Sequence, residues 1–328
     1  MPRSYSKIIV TGGAGFIGSH IVDRILKQDY EVVVIDDLSQ GRLENISGNL
    51  NDKNFKFIKA DIRDVGKVEE TVKDVDAIFH EAAVTSVTRS FEDPIYTNDV
   101  NAAGTLNLLK ACLNSNVKKF IYASSCAVYG EAESPQQSEE TPTSPISPYA
   151  AAKIAAENYC KLFNRRYGLE AIVLRYFNVY GSRQLWSSPY SGVIAKFIDR
   201  LMRGEPLVIH GDGEQRRDFV NVSDVVEANM LALEGSSVPS DPINIGTGTA
   251  TSIKDLADLL IDITGRKHLK PAFDQPRMGD IRHSCADISK ARRVLSYEPK
   301  VPLIEGLTRL LKDYEENPHP TAKFTQNP

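Results

Sequence analysis

The stretch that most constrains this chain is residues 7–20, KIIVTGGAGFIGSH, where an apolar run leads through glycines into a helical pattern. The run IIV is typical of a strand buried on both faces. Glycines at 12, 13, 15 and 18 fit both Gly-x-Gly-x-x-Gly and Gly-x-x-Gly-x-x-Gly spacing. Glycine lets the backbone approach a pyrophosphate closely, and the unpaired N–H groups of the following helix face it. A purely structural turn is the alternative, but strand, turn and helix together predict a dinucleotide-binding site.

A pair of carboxylates follows at the end of the next apolar segment. Residues 31–35, EVVVI, are typical of a second buried strand, and Asp36 and Asp37 come directly after it. Asp36 stands 18 positions after Gly18, near the spacing expected for a carboxylate that binds the adenosine ribose hydroxyls. Such a carboxylate repels a 2′-phosphate, so NAD is favoured over NADP. The alternative is that the two aspartates merely end the strand.

The composition excludes several classes of protein. The chain has 328 residues, 41% of them hydrophobic, which is enough for a large core. Its net charge of −4 gives no basic surface for nucleic acid. No run of 18 apolar residues is present, so we expect no membrane partner, and the N-terminus leads into a strand without a signal-peptide pattern. The four cysteines show no C-x-x-C spacing, which argues against a metal site and against disulfides. We expect a soluble cytoplasmic protein with reduced thiols.

Strand-like and helical segments alternate from residue 7 to about residue 174, and this rhythm predicts an α/β fold with a doubly wound parallel sheet. We predict a dinucleotide-binding domain at residues 1–177, with roughly residues 213–240 returning to it. Residues 178–316 form mainly a smaller C-terminal α/β lobe that binds substrate, and residues 317–328 form a flexible tail. Ligands of such sheets bind at the carboxyl ends of the strands, so the residues there should meet in one cleft.

Tyr149 and Lys153 stand four positions apart in the segment SPYAAAK, which places them on one face of a predicted helix. A free tyrosine has a pKa of about 10, and a nearby ammonium group together with a positive nicotinamide ring would lower it. Ser125, at the end of a predicted strand, could orient a substrate hydroxyl for proton removal. A surface pair of residues is the alternative, but no other tyrosine of the chain has a lysine at this spacing. The three side chains predict the acid–base half of a hydride transfer.

Several blocks of the sequence together resemble the extended short-chain dehydrogenase/reductases. They are TGGAGFIGSH, Asp36, Asp61-Ile62, HEAA, NAAGT, SSCAVYG, SPYAAAK, RYFNVYG, RRDFVNVSDV and RMGDIRHSCADISKA. The similarity covers about residues 7–315 and implies a Rossmann fold. Within that family the chain most resembles the UDP-hexose 4-epimerases, particularly those that act on UDP-N-acetylhexosamines.

The resemblance implies a role for each matching residue. The catalytic residues would be Ser125, Tyr149 and Lys153. Those that hold NAD would be Gly12, Gly15, Phe16, Ile17, Gly18, Asp36, Asp37, Asp61, Ile62, Ala82, Ala83, Tyr149, Lys153 and Tyr176. Those that bind the UDP-sugar would be Thr85, Ser86, Ser125, Asn178, Gly192, Val193, Arg217, Arg277, Asp280 and Ser284. Guanidinium groups suit a diphosphate, and Arg216 competes with Arg217 for that role.

The activity expected from the resemblance is NAD-dependent 4-epimerisation of UDP-GlcNAc and UDP-GalNAc, and of UDP-Glc and UDP-Gal, through a transient 4-keto sugar. The small side chain of Ser284 leaves room for a 2-acetamido group. Related dehydratases and decarboxylases carry acidic residues where this chain has Cys126 and Ala127. The alternatives are such a dehydratase or decarboxylase, a net dehydrogenase, or a non-catalytic NAD-binding regulator. We expect a homodimer, paired through the helix near Pro94 and the helix of Tyr149.

Overall fold

The structure is a computed structural model that describes residues 5–185, 192–235, 239–276 and 281–316. Its strands are β1 (Lys7–Thr11), β2 (Glu31–Asp36), β3 (Phe55–Lys59), β4 (Ala77–His80), β5 (Lys119–Ser125), β6 (Glu170–Tyr176), β7 (Asn178–Tyr180), β8 (Val208–His210), β9 (Arg216–Asn221), β10 (Ile243–Ile245), β11 (Ala250–Ser252), β12 (Ala272–Asp274) and β13 (His283–Ser284). Its helices are α1 (Phe16–Leu26), α2 (Val65–Val72), α3 (Val87–Glu92), α4 (Pro94–Asn98), α5 (Thr105–Leu113), α6 (Pro148–Tyr167), α7 (Val193–Met202), α8 (Val222–Glu234), α9 (Ile253–Thr264), α10 (Ser289–Leu295) and α11 (Leu303–Glu316).

The main sheet has seven parallel strands in the order β10-β6-β5-β4-β1-β2-β3. The chain builds outward from β1 through β2 and β3, then returns to the other side of β1 with β4. The order therefore reverses between β1 and β4, and ligands of doubly wound sheets bind at such a reversal. The predicted doubly wound α/β fold is confirmed.

The two faces of the sheet are covered by separate apolar layers, as β1 illustrates. Ile8 and Val10 belong to the layer that includes α1, α8 and α10, and Ile9 belongs to the layer that includes α2, α5 and α6. All three side chains are fully buried. Successive strand residues point to opposite faces, so a strand covered on both sides reads as an unbroken apolar run. Burial of each such side chain contributes about 1.5–3 kcal/mol.

The helix expected to begin near Pro94 is interrupted in a way that the sequence pattern does not show. After α4 the chain forms a π-helical turn at Asp99–Gly104 and continues as α5. Asn101 lies in that turn and is 1% exposed. Its amide oxygen accepts a hydrogen bond from the backbone N–H of Val84 (2.8 Å), and its amide nitrogen donates to the Val84 carbonyl (2.9 Å). The turn thus fastens the segment that follows β4.

The smaller lobe contains a sheet in the order β11-β9-β13, with β7 paired to β9, and the two-stranded sheet β12-β8. Helices α7, α9 and α11 supply its core. Within the segment that was expected to return to the main domain, α8 packs against α1 whereas β9 stays in the small sheet. Strand β10 also joins the main sheet, beside β6. Within the described ranges, no helix combines the length and apolar composition that a membrane span requires.

Candidate active site

The turn between β1 and α1 has no room for side chains. Gly12 has a φ of +68°, and a Cβ built on it would lie 2.7 Å from the backbone nitrogen of Ala82. A Cβ on Gly18 would collide with the carbonyl oxygen of Gly12. Gly15 is the residue before α1, and it has no side chain that could accept hydrogen bonds from the first backbone N–H groups of the helix. These N–H groups therefore remain without a side-chain cap. This geometry fits a pyrophosphate bound at the start of the helix.

The turn opens into a cavity of about 800 Å³ at the carboxyl ends of the strands. Its wall contains most of the residues predicted to hold the cofactor and three of those predicted to bind the UDP-sugar. They are Gly12, Gly15, Phe16, Ile17, Gly18, Asp36, Asp37, Asp61, Ile62, Ala82, Ala83, Thr85, Ser86 and Gly192. The strand ends therefore meet in one cleft.

Asp36, at the end of β2, is fixed in position by the backbone around it. Its carboxylate accepts hydrogen bonds from the N–H groups of Ala14 (3.0 Å) and Leu38 (2.9 Å), and it is 7% exposed. Burial raises the pKa of Asp36, and these two hydrogen bonds act in the opposite direction. The remaining lone pairs on its oxygens can accept the two hydroxyl groups of a ribose. Its position in the cavity wall fits that role.

Asp61, at the far side of the cavity, is held by Arg63. The guanidinium Nε lies 3.0 Å from both carboxylate oxygens and Nη2 lies 2.5 Å from one of them. These hydrogen bonds lower the pKa of Asp61. The side chain therefore stays ionised and can accept hydrogen bonds from a bound ligand.

Tyr149 and Lys153 lie in the first turns of α6, whose start is fixed by a serine and a proline. The hydroxyl of Ser147 accepts a hydrogen bond from the Ala150 N–H (3.2 Å), and Pro148 takes the first helical position. Tyr149 is 8% exposed and Lys153 is 3% exposed. The Lys153 ammonium lies 5.9 Å from the centre of the Tyr149 ring. The predicted spacing therefore brings the two side chains together.

Burial shifts the pKa values of both side chains in the protein without its cofactor. Burial raises the pKa of Tyr149 to about 12, and the Ser125 hydroxyl acts in the opposite direction. Burial also lowers the pKa of Lys153 to about 8. These shifts describe the protein without the positive nicotinamide ring that the sequence-based expectation includes, and the Lys153 ammonium donates to the Ala123 carbonyl (2.7 Å). Desolvation therefore outweighs the attraction between the two groups.

A second group of side chains adjoins Ser125 on the side of the smaller lobe. Strand β13 pairs with β9 so that Ser284 lies beside Arg217. The Ser284 hydroxyl donates to the sulfur of Cys126 (3.7 Å). Arg217 lowers the pKa of that same thiol, against the larger effect of burial, whereas Arg216 acts on Cys285. Of the two arginines, Arg217 is the one whose charge acts on Cys126, the residue after Ser125.

The other predicted site residues have different surroundings. Asn178 donates to the backbone carbonyl of Asp218 (3.2 Å), and Val193 begins α7 directly after Gly192. Arg277 and Asp280 lie outside the described residues. Tyr176 is not among the described residues that line the cavity, and its buried hydroxyl donates instead to Glu81 (2.9 Å). The predicted contact between Tyr176 and the cofactor stays a prediction.

Glu81 is the site residue that the sequence analysis missed. It lines the cavity, and its charge acts on both Tyr149 and Lys153. Among the described residues, Ser125, Tyr149 and Lys153 do not themselves line the cavity, so Glu81 connects them to it. An ionisable residue directly after a buried strand, within HEAA, was the signal available in the sequence.

Comparisons with known proteins agree with this geometry. Residues 8–246 match the model of the NAD dependent epimerase/dehydratase family. A putative UDP-glucose 4-epimerase of Methanocaldococcus jannaschii is 41% identical, covering 94% of this chain and 99% of that protein. The solved UDP-N-acetylglucosamine 4-epimerase of Methanobrevibacter ruminantium, in complex with UDP-N-acetylmuramic acid, is 41% identical with a TM-score of 0.90, covering 95% of this chain and 99% of that one.

A third relative contains the cofactor. The UDP-glucuronic acid 4-epimerase of Bacillus cereus, solved with a fluorinated UDP-sugar and NAD, is 34% identical with a TM-score of 0.88 and covers 94% of this chain and 99% of that one. The glycine turn and Asp36 provide the surroundings that NAD requires, as described above. The chain belongs to the NAD dependent epimerase/dehydratase family, and its cofactor is NAD.

Proposed function

We propose that this protein is a UDP-sugar 4-epimerase that interconverts UDP-GlcNAc and UDP-GalNAc, and UDP-Glc and UDP-Gal as well. The observation that carries the proposal is the placement of Ser125, Tyr149 and Lys153 next to a cavity shaped for a dinucleotide. The names of the relatives from M. jannaschii and M. ruminantium support the same reaction class.

In the proposed reaction the phenolate of Tyr149 takes the proton of the sugar 4-hydroxyl while the hydride leaves C4. Bound NAD supplies the hydride acceptor and a positive ring that favours the phenolate. Ser125 donates a hydrogen bond that orients the 4-oxygen, and Lys153 contributes positive charge beside the phenol. The 4-keto sugar then turns over while its UDP stays anchored. The hydride returns to the opposite face, the phenol returns its proton, and no net oxidation results.

The protein cannot supply that phenolate by itself, because burial raises the pKa of Tyr149 to about 12. Replacing Tyr149 with phenylalanine should lower kcat by about three orders of magnitude or more, since the base is removed. The variant should still carry NAD through purification. Tyr167→Phe is the matched control, because Tyr167 ends the same helix and is 56% exposed. Near-normal turnover of Tyr149→Phe would exclude Tyr149 from the mechanism.

The sugar specificity is proposed from Ser284, which is 7% exposed and stands beside Cys126. Its small side chain leaves space next to the catalytic serine for a 2-acetamido group. Replacing Ser284 with tyrosine should decrease kcat/KM for the N-acetylated sugars at least about tenfold relative to the plain ones. The measurement is a four-sugar panel, with UDP-GlcNAc, UDP-GalNAc, UDP-Glc and UDP-Gal assayed in parallel. An unchanged ratio between the two classes of sugar would refute the assignment.

Cys126 and Ala127 favour epimerisation over elimination, because neither side chain can deliver the proton that loss of water requires. A net dehydrogenase would release NADH together with its product. We expect instead that the purified protein turns over UDP-sugars without added cofactor and without accumulation of NADH. Mass spectrometry of the ligands that survive purification provides the independent measurement.

We also propose a homodimer, supported by large apolar side chains exposed on three helices that pack against each other, α3, α4 and α6. Val87 is 44% exposed, Phe91 61%, Ile95 74% and Leu162 51%. Such a surface is typical of a subunit interface. Sedimentation should give a dimer for the wild type and a monomer for Ile95→Lys. Ile304→Lys, on α11 and 55% exposed, should remain dimeric. Monomeric wild-type protein would contradict the proposal.

A further inference from the structure

The turn after β7, residues 181–185, brings a segment of the smaller lobe to the cofactor cavity. Strand β7 belongs to the small sheet, and the turn follows it directly. Arg183, Gln184 and Leu185 line the same cavity as the glycine turn at the start of α1. The wall of the cavity therefore includes a segment to which the proposed reaction assigns no role.

A salt bridge joins this turn to α1. Nη2 of Arg183 lies 2.6 Å from Oδ2 of Asp23, which belongs to α1. The other carboxylate oxygen of Asp23 accepts a hydrogen bond from the side-chain amide of Asn49 (2.7 Å). The Arg183 and Asp23 side chains are 30% and 26% exposed, so the pair is partly shielded from water. A charge-assisted hydrogen bond in such surroundings is stronger than that of a fully exposed ion pair.

A histidine on the same face of α1 makes a second contact with the turn. Nε2 of His20 lies 3.1 Å from the backbone carbonyl oxygen of Ser182. A carbonyl oxygen can only accept, so Nε2 carries a proton and donates it to this bond. His20 and Asp23 are three positions apart and are therefore neighbours on the helix surface. Two successive residues of the turn are thus held against the helix whose first turn faces the pyrophosphate site.

The conformation of Arg183 shows that the turn depends on these contacts. Its φ is +64°, in the left-handed region that is unfavourable for a residue with a Cβ. Its Nη1 is buried and has no hydrogen-bond partner within the part of the chain that the structure describes. Both features cost free energy. The bonds to α1 therefore offset the cost of placing Arg183 in the cavity wall.

From this arrangement we propose that Asp23 and His20 are positioning residues for the cofactor, which hold the turn after β7 in the cavity wall and thereby keep NAD bound. The proposal goes beyond the 4-epimerase activity, because it does not depend on the sugar. The alternative is that Arg183 acts only through its positive charge, which attracts the anionic pyrophosphate. In that case Asp23 weakens cofactor binding, since it neutralises part of the charge. The two interpretations give opposite predictions for loss of the Asp23 carboxylate.

Asp23→Asn is the decisive variant, because the amide has nearly the same shape and cannot form the salt bridge. The purified protein is loaded with isotope-labelled NAD, and the loss of label is followed after addition of excess unlabelled NAD, without any sugar. We expect the dissociation rate of NAD to rise about fivefold, as the loss of one partly shielded ion pair predicts. An unchanged or slower rate would refute the proposal, and a slower rate would favour attraction by the charge of Arg183 alone.

Two further variants test the contacts separately. Arg183→Asn suits the left-handed backbone, which asparagine tolerates better than most residues. In that background Asp23→Asn should not accelerate exchange further, because its partner is already absent. An additional increase would contradict a role through Arg183. His20→Phe keeps a ring beside Phe16 and loses the donor to Ser182. It leaves the charge of Arg183 unchanged, so it should accelerate exchange only if the turn is held mechanically. This variant decides the question if Asp23→Asn folds poorly.

Arg24→Gln is the matched control. Arg24 is the next residue on α1, and its Nη2 lies 3.3 Å from Glu227 on α8, with side chains 42% and 32% exposed. The variant removes an ion pair of α1 that does not involve the turn, and neither residue is among those that line the cavity in the described structure. We expect no change in NAD exchange. A rise equal to that of Asp23→Asn would refute the proposal, since any loosening of α1 would then release the cofactor.

The outcomes distinguish this proposal from the proposed function, because exchange of NAD needs no turnover. An active epimerase in which Asp23→Asn exchanges NAD at the wild-type rate would refute the role of Asp23 and leave the epimerase intact. Faster exchange in a protein that turns over none of the four UDP-sugars would support the role of Asp23 and refute the proposed function.

Discussion

Replacing Asp218 with asparagine should destabilise the protein by about 2 kcal/mol, although the side chains have nearly the same shape. Asp218 lies in β9 and is fully buried. One carboxylate oxygen accepts from the Thr247 N–H (2.8 Å) and the Thr247 hydroxyl (2.6 Å). The other accepts from the N–H groups of Gly248 (2.9 Å) and Ala286 (3.1 Å). All four groups are donors, so a side-chain NH₂ placed among them must oppose at least one.

The loss of stability depends on how the asparagine amide is oriented, and the orientation with the lower free-energy cost determines it. An NH₂ group facing Gly248 and Ala286 would oppose two backbone donors. Facing Thr247, it opposes only one, because the threonine hydroxyl can rotate and accept. A lost hydrogen bond to a charged acceptor costs about 1.5–3 kcal/mol, and the unpaired donor adds to it. Burial raises the pKa of Asp218, so a neutral side chain avoids part of the cost of burying a charge. This compensation places the net effect near 2 kcal/mol.

The same substitution should affect substrate binding more than cofactor binding. The contacts of Asp218 hold β13 and the turn after β10 against β9, and Arg217 and Ser284 are carried by those strands. We expect KM for UDP-sugars to rise several-fold and NAD to be retained, because the glycine turn lies in the other lobe. Urea unfolding measures the stability, with Asp212→Asn as a control at an exposed carboxylate that pairs with Arg282.

We expect no measurable change in the control. An unfolding free energy of Asp218→Asn within about 0.5 kcal/mol of the wild type would refute the reasoning, since surface substitutions alone produce differences of that size.

Three further substitutions probe the structure around the site. Burial lowers the pKa of His80 to about 3, so the imidazole takes up a proton more readily in the unfolded chain than in the folded protein. Through this residue the free energy of unfolding should fall by up to about 4–5 kcal/mol between pH 6.5 and pH 3. The stability contributed by neutral His80 is fully present above pH 6.5 and is lost as the pH falls. The urea concentration at the midpoint of unfolding should therefore decrease less in acid for His80→Gln than for the wild type. Lys119→Met should decrease the free energy of unfolding in urea by about 3 kcal/mol, because the buried ammonium donates to three carbonyls at the end of α8. The control is Lys118→Met, at an exposed neighbouring position, and it should change the free energy of unfolding little. Asn101→Ala should decrease the free energy of unfolding by about 2 kcal/mol, since both hydrogen bonds to Val84 are lost. The variant should also release NAD faster during gel filtration. Asn101→Asp, which keeps the acceptor oxygen, should be intermediate in both measurements.

The sequence was sufficient to predict the main sheet because its strands are buried on both faces. Runs such as EVVVI have buried residues on both faces of the strand, and their alternation with helical segments favours a parallel sheet covered by helices. The π-helical turn at Asp99–Gly104 could not be anticipated in this way. Its residues suit an ordinary α-helix, and the turn carries a long-range contact between Asn101 and Val84, which are 17 positions apart.

The proximity of the predicted site residues was easier to infer from the sequence than their state of protonation. The spacing of Tyr149 and Lys153 brought the two side chains together as expected. The direction of the Lys153 ammonium depends on the Ala123 carbonyl, which belongs to a different strand, and so the pKa of the phenol could not be inferred from spacing. Glu81 was missed for a related reason, since its side chain is held by the hydroxyl of Tyr176, which stands 95 positions later in the chain.

The burial of the acid–base group has a consequence for how the site operates. A phenol whose pKa is about 12 and a lysine whose pKa is about 8 are both shifted towards their neutral forms by desolvation. The protein alone therefore keeps Tyr149 protonated and unreactive. In the proposed reaction, positive charge delivered with the cofactor shifts the balance towards the phenolate. Activation of the base is then coupled to cofactor binding, because desolvation in the protein alone keeps the phenol protonated.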